Sequence, residues 1–452
     1  MTQSTNRTLE LPKPHSREQR IIMQAFATPG LQEIWCPCGT KFGKSLGWSA
    51  SMASVAWVKK NQLYRWVAPV YKQAKIGMSY HKNLFPHDAV NINKSDLSIT
   101  LPLGSRIEYT SGKFPEDLEG AGVTGGYCFD EAAKMPRAVY ESASTTVTVT
   151  RALMAFFSTP KGKGWFYDGY TEAKAHMEWS LAKGIAPTKI AITAPTAANP
   201  HVPRESIEDA RKRLPDRLFR QFYLAEFMDS GSVFVGFREC VYGEQIDFHT
   251  AIEMFVDSEV DTASVVIGAD WAKKEDFTVF TAIDYNYEIP KVVGYCRFQG
   301  LSYIEAIRQL IIFSRKFKQI RVVYHDKTGV GEAIDDMLGQ TSLPFEGVVF
   351  TNASKSSMVS DLMLCFERGD ILIPNIPDLI YELDVFEVVT NSLGTARYSA
   401  PSGMHDDIVC SLMLAYSACK EYRADFKVRF VEDLPNEKFT VERWYTDLAD
   451  ED

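Results

Sequence analysis

No run of about 18 apolar residues occurs in this sequence, so a membrane-spanning helix is excluded. The opening stretch "MTQSTNRTLELPKPHSREQR" has no apolar core and is not expected to act as a secretory signal. Cysteine is sparse, eight in 452 residues, and no paired spacing completes a zinc site: Cys36 and Cys38 of "CPC" have no second pair. All eight are expected to be free thiols in a reducing cytosol. No internal repeat is present. A surplus of basic charge is missing too, since 49 Lys and Arg face 58 Asp and Glu, a net charge of −9. That balance argues against a protein that coats nucleic acid. It leaves room for an enzyme acting on nucleic acid, because acids gathered at a metal site and on a tail mask a local basic surface. "RKRLPDR" (Arg211 to Arg217) and "SRKFKQIR" (Ser314 to Arg321) are either such surfaces or solvated helix faces. What remains is ordinary globular material, 45% hydrophobic and 24% charged, long enough for two domains with their own cores.

The order of elements is readable. A helix is predicted over 17–27, and "EIWCPC" reads as a strand entering a glycine loop. "SLGWSASMASVAWVK" (Ser45 to Lys59) suits a buried helix. Further strands are predicted at "YRWVAPV", "SRIEYTS", "GGYCFDEA" and "RALMAFFSTP". Strands that alternate with helices and finish in polar residues imply a mostly parallel α/β sheet, with ligands at the carboxyl ends of its strands. Between 229 and 262 the chain carries glycines and short apolar pieces without a long period, and a junction is placed there. Alternation then resumes in "SVVIGAD", "FTVFTAIDY", "KVVGYCRF", an amphipathic "YIEAIRQLIIFSRKF" and "IRVVYHD", and a helix opens at "GMHDDIVCSLMLAYSACK". The predicted division is 1–228, a junction at 229–262, a second domain at 263–425 and an acidic tail at 426–452.

Two constellations carry chemistry. In "GTKFGKS", Gly39, Thr40, Lys41, Gly43, Lys44 and Ser45 stand between a strand and a helix. Backbone N–H groups at a helix start wrap phosphate oxygens, Lys44 meets the β/γ charge, and the Ser45 hydroxyl can hold Mg²⁺. The bland alternative is a glycine turn with a surface lysine, and position 38, where the full motif has glycine, is Cys38. Downstream, "YCFDEAA" ends a strand in Asp130, a Mg²⁺ ligand, and Glu131, a base for water. The two motifs together point to ATP hydrolysis. Ser158 and Thr159, at the end of "FFST", are placed to sense the γ-phosphate. In the second half, Asp270, Asp326 and the pair Asp406–Asp407 end strands or open a helix. Their order, strand and acid, hairpin, strand and acid, helix with acids, is that of a ribonuclease-H-like fold. Converging carboxylates of this kind hold two Mg²⁺ or Mn²⁺ ions for phosphodiester hydrolysis. Singly, each acid also reads as a strand terminator, a turn opener or a helix cap. His405 is expected to neighbour the metal rather than bind it.

With these motifs in place the sequence resembles the large terminase subunit of tailed bacteriophages over roughly residues 15 to 420. "CGTKFGKS" is similar to that family's glycine loop, with lysine at 41 where arginine is commoner. "FDEAA" looks like its acid strand and "STPKGKGWFY" like its coupling segment. "GADWAKKEDFT", "YHDKTGVGEAIDDML" and "MHDDIVCSLMLA" resemble its nuclease motifs. The resemblance implies an amino-terminal P-loop ATPase domain of RecA/ASCE type and a carboxyl-terminal RNase H-like nuclease domain. It further implies an adenine-contacting glutamine, for which Gln19 is the candidate, and a trans-acting arginine, for which Arg137 is the candidate. The partners it implies are double-stranded DNA, a portal protein, a small terminase subunit and further copies of the chain in a pentameric ring, with no membrane. The location it implies is the host cytoplasm, docked transiently on the prohead. Which of Asp406 and Asp407 binds metal is open at this point. A helicase–nuclease, an ATP-dependent DNA-binding scaffold without catalysis, and a nuclease with a degenerate loop are the rival readings.

Overall fold

The computed structural model describes residues 9–432 apart from 121, 229–231, 259, 261–262, 273–275, 329–330, 391–395 and 402. The chain forms two compact units, Met1–Gly231 with Val388–Arg397 and Ser232–Glu387 with Tyr398–Asp452.

The first unit is built on one sheet of eight strands: β1 (Glu33–Pro37), β2 (Leu63–Ala68), β3 (Asn91–Asn93), β4 (Ser98–Thr100), β5 (Arg106–Ser111), β6 (Gly126–Asp130), β7 (Met154–Ser158) and β8 (Lys189–Ala191). Their order across the sheet is β3-β4-β5-β2-β6-β7-β1-β8. From β5 to β8 every neighbouring pair is parallel, and at the edge β4 pairs antiparallel with both β3 and β5. The residues explain why. β1, β6 and β7 are buried at every position, as strands covered by helices on both faces must be. Alternate side chains feed two cores. Ile34 and Cys36 pack with Trp48 and Trp66 on one face, while Trp35 packs with Phe129 and Phe156 on the other. The Trp35 and Phe156 rings stack with centroids 4.2 Å apart, and Phe129 continues the stack at 4.5 Å from Phe156. The mostly parallel α/β sheet expected from the sequence is the one observed.

The second unit has β9 (Val241–Tyr242), β10 (Ile252–Val256), β11 (Ser264–Asp270), β12 (Phe277–Asp284), β13 (Lys291–Gln299), β14 (Gln319–Asp326), β15 (Phe345–Val348) and β16 (Ile373–Pro374). Six of them form a sheet in the order β10-β13-β12-β11-β14-β15, and β9 pairs with β16. β11, β12 and β13 make an antiparallel meander, and β14 returns parallel to β11 on its free side. That is the ribonuclease-H-like order. The amphipathic helix Tyr303–Ser314 lies between β13 and β14, and its Ile307, Leu310 and Phe313 enter the core beneath the sheet. The stretch 229–262, predicted as a junction, contributes β10, which pairs with β13 at the sheet edge. Five residues of half-buried edge strand leave no period long enough to read in the sequence. The last helix, Asp407–Glu432, runs through 426–432, which the sequence had assigned to the tail. The rest of that predicted tail, 433–452, lies outside the described residues.

Candidate active sites

In the first unit, β6, β7 and β1 are neighbours in the sheet, so three parallel strands deliver their ends to one place. From β1 the chain turns through Gly39 to Phe42 into the helix Lys44–Val58. A Cβ on Gly39 would lie 2.5 Å from the Thr196 nitrogen and 2.8 Å from the Tyr223 carbonyl oxygen. The glycine displaced from position 38 therefore serves the close approach of two other segments. Its N–H donates to the Ala194 carbonyl (2.8 Å), and that of Thr40 donates to the Phe222 carbonyl (2.7 Å). Lys41 is exposed with a left-handed φ of 58°, its carbonyl accepting from Asn199 Nδ2 at 2.8 Å. Gly43, at φ 97°, turns the chain into the helix, which suits glycine. The first helical bond runs from the Gly47 N–H to the Gly43 carbonyl at 3.0 Å. The N–H groups of Lys44, Ser45 and Leu46 thus open the helix without intrahelical acceptors, an arrangement that receives anions. Gln19 is buried behind this turn. Its Nε2 donates to the Gly43 carbonyl at 3.4 Å, and its Oε1 accepts from the His15 N–H at 2.9 Å.

Lys44 Nζ lies 2.8 Å from Glu131 Oε1 and donates to Thr159 Oγ1 at 3.1 Å. Ser45 Oγ donates to Asp130 Oδ1 at 3.5 Å. Glu131 Oε2 receives Lys134 Nζ at 3.1 Å and the Ser158 hydroxyl at 3.4 Å. Lys44, Ser45, Asp130, Glu131, Ser158 and Thr159, drawn from three separate stretches of sequence, therefore form one cluster. Glu131 adopts a left-handed φ of 56°, a conformation that costs a non-glycine residue energy and is concentrated at functional sites. Arg137 stands apart, exposed, with Nε 3.0 Å from Glu141 Oε1.

The paired acids differ in character. Burial, and then the neighbouring Glu131, push the Asp130 carboxyl up to about 7, against the pull of Lys44, Lys134 and the Ser45 hydroxyl. Burial acts on Glu131 in the same sense, but Lys44 and Lys134 outweigh it and hold Glu131 below the usual carboxylate range. A buried acid lacking a cation beside an already ionised acid fits a Mg²⁺–nucleotide: Asp130 and Ser45 to hold the ion, Glu131 to face water. Lys134 was missed in the sequence, although it follows Glu131 by three residues and folds back onto it.

In the second unit, β11 and β14 are parallel neighbours with Ala269 opposite His325, so Asp270 and Asp326 end adjacent strands side by side. The helix that starts at Asp407 reaches them because β11 carries Gly268. A Cβ there would sit 2.1 Å from the Ser411 carbonyl oxygen and 2.4 Å from the Ala415 nitrogen. Ser411 Oγ locks the approach by bonding the Gly268 carbonyl and Thr281 Oγ1, each at 2.9 Å. Buried Glu382 caps the helix, its Oε2 accepting from the N–H groups of Ile408 (2.9 Å) and Val409 (3.3 Å). Asp407 Oδ2 accepts the Phe277 N–H at 3.0 Å. Asp406 Oδ2 takes Lys355 Nζ at 3.0 Å, and Asp326 Oδ1 accepts the Thr328 N–H at 2.7 Å.

Asp270 is held well above its ordinary range, first by burial and then by Asp407, Asp326 and Asp406, with Lys355 opposing them. All four predicted acids therefore share one field. Burial also raises Asp407, to about 6, against the Phe277 N–H that favours its charged form. Mutually repelling carboxylates on rigid elements fit divalent cations. His405 Nδ1 lies 3.6 Å from Asp407 Oδ2 and 3.5 Å from Asp276 Oδ1, and ligand atoms of these three residues fall within 4.8 Å of one another. Asp276, Glu382 and Lys355 were not singled out in the sequence. Asp276 lies within "GADWAKKEDFT", six residues after Asp270, whereas Glu382 and Lys355 reach the site from segments with no motif of their own, so only folding reveals them.

No model of a known protein family matches the chain. It is 28% identical to the large terminase subunit of Thermus virus P23-45 over an alignment 476 positions long that covers 97% of this chain and 94% of that one. It is 26% identical over 277 residues to the large terminase subunit of Escherichia phage T5, with 60% of each covered. The structure of a large terminase from a thermophilic bacteriophage superposes with a TM-score of 0.55 at 14% identity, across 89% of this chain and 98% of that one. At that identity the superposition speaks for the fold alone. Along nearly its whole length the chain is similar in sequence to large terminase subunits, and its fold is similar to that of a solved one.

Proposed function

We propose that this protein is the motor of a phage DNA-packaging machine, with an ATPase in its first unit and a DNA endonuclease in its second. The observation that carries the reading is the full-length likeness to large terminase subunits on a chain that also assembles two carboxylate sites of different make. The thermophilic-phage terminase of the same fold has been solved with ATP-γ-S and with ADP, and the Lys44–Ser45 turn here has the groups such a ligand requires.

In the ATPase, the helix-opening N–H groups and Lys44 receive the phosphates, and Ser45 and Asp130 hold Mg²⁺. Lys44 exchanges Glu131 for phosphate, which releases the glutamate to take a proton from the attacking water. Loss of the γ-phosphate is sensed through Thr159, bonded to Lys44, and Ser158, bonded to Glu131. Hydrolysis drives translocation of double-stranded DNA into the prohead. Gln19 is the proposed adenine contact and exposed Arg137 the arginine offered to a neighbouring copy in a pentameric ring. The portal and a small subunit are the proposed partners, and the host cytoplasm the proposed location.

In the nuclease, two Mg²⁺ or Mn²⁺ ions held by Asp270, Asp326 and the Asp406–Asp407 pair would activate water and stabilise the leaving oxygen. Asp407 is fixed by the Phe277 N–H and Asp406 faces Lys355, so both are ordered for that role. The cut product is a packaged length of concatemeric DNA. Plasmid cleavage in Mn²⁺ by wild type, Asp270→Ala and Lys44→Ala tests the assignment. Wild type and Lys44→Ala are expected to cut and Asp270→Ala not to. Cutting by Asp270→Ala at the wild-type rate would remove the nuclease site from the second unit.

A further inference from the structure

The Asp406 carboxylate has a partner that no motif announces, and the way that partner is held is informative. Lys355 sits in the first turn of the helix Asn352–Arg368, whose start is fixed by a reciprocal capping box between Thr351 and Ser354. Its ammonium lies 5.9 Å from the Phe350 ring centre and 5.7 Å from that of Phe386, close enough for both ring faces to attract it. Between these aromatics it reaches Asp406 Oδ2 at 3.0 Å, with only 22% of the lysine side chain and 26% of the aspartate side chain exposed. A surface lysine pairing by chance is mobile and solvated, whereas this one is built into position.

The charge balance says why. In the proposed nuclease two divalent cations would balance the four carboxylates Asp270, Asp326, Asp406 and Asp407, the last three of which all act on Asp270. A phosphodiester brings one further negative charge, and among the described residues the Lys355 ammonium, which already acts on those acids, is placed to meet it.

Resting on the nuclease reading above, we propose that Lys355 is a catalytic residue of that site. It holds Asp406 while no metal is bound, yields the carboxylate to the arriving cation, and turns its ammonium to a non-bridging oxygen of the DNA phosphate. Lys355 thus competes with metal before the substrate arrives and supports the reaction afterwards.

These roles predict opposite signs for two measurements on the full-length protein. Calorimetric titration with Mn²⁺, with Asp270→Ala supplying the background from other sites, is expected to show Lys355→Met binding about tenfold tighter than wild type, as removal of a nearby like charge requires. Plasmid cleavage at saturating Mn²⁺ is expected to fall about 10²-fold, the usual effect of losing one group that stabilises transition-state charge. Lys355→Arg is expected to restore most of the cutting, and Lys355→Gln, run as a second neutral variant in case the methionine protein does not fold, to match Lys355→Met. A neutral variant that cuts at the wild-type rate in saturating Mn²⁺, or that binds Mn²⁺ more weakly than wild type, overturns the inference. Wild-type protein that binds Mn²⁺ and never cuts DNA overturns the nuclease reading itself, and the role of Lys355 with it.

Discussion

A half-buried lysine needs a counter-charge, and Lys44 finds one in Glu131 at 2.8 Å. In the proposed ATPase this pairing would keep the glutamate from water until nucleotide draws the lysine off. Single residues elsewhere set stability. His81 is fully buried beside Trp66 and Phe85, with Nδ1 3.2 Å from the Gly77 carbonyl oxygen. Burial lowers it to about 4, against about 6.5 in an unfolded chain. Between those values the unfolded chain binds the extra proton, so stability falls as pH drops through that window and levels off below it. The expected loss is about 3 kcal/mol between neutral pH and pH 4. His81→Phe should remove that part of the acid sensitivity. Urea unfolding followed by tryptophan fluorescence at pH 7.5 and 4.5 reads it, and equal acid sensitivity in both proteins would clear His81.

At the scale of elements, the proposed nuclease site depends on one strand–helix contact. Two of the proposed catalytic acids end β11 and β14, and two open the helix Asp407–Glu432 or immediately precede it. The contact between helix and strand is as close as Gly268 allows. In Gly268→Ala the new methyl group would meet backbone atoms of Ser411 and Ala415, which cannot swing aside as a side chain could. The helix must shift, at a cost of about 1–3 kcal/mol, and carry Asp406 and Asp407 from their places. Metal-dependent cleavage is expected to fall by about 10²-fold, the cost of a misplacement near 1 Å, and thermal unfolding to begin earlier. A variant with full cleavage and an unchanged melting profile would show that the contact is not what positions the acids.

At the scale of the molecule, each unit contains its own sheet, core and carboxylate site: Lys44, Asp130 and Glu131 all belong to the first, and Asp270, Asp326, Asp406 and Asp407 to the second. The two chemistries are therefore separable by mutation. ATP turnover by Asp270→Ala is expected to remain within about twofold of wild type, since no group of the nucleotide site is touched. Loss of turnover in that variant would mean that the two sites are coupled in the free protein.

The residues themselves determined a good deal. Apolar runs ending in acids predicted β6, β11 and β14 together with the groups at their ends, because burial on both faces writes continuous hydrophobicity and a strand's carboxyl end is where polar groups are exposed. The glycine loop was legible because a tight turn before a helix restricts which residues can stand there. The tertiary structure alone decided what lies across from these motifs. That Gly39 makes room for Thr196, that Lys134 folds onto Glu131, that Glu382 caps the last helix and that Lys355 faces Asp406 are matters of distance in space. Lys355 and Asp406 are 51 residues apart, and neither segment carries a local pattern that names the other. Propensity and periodicity act over a turn or a strand, whereas a charge pair is specified only once packing has fixed both backbones.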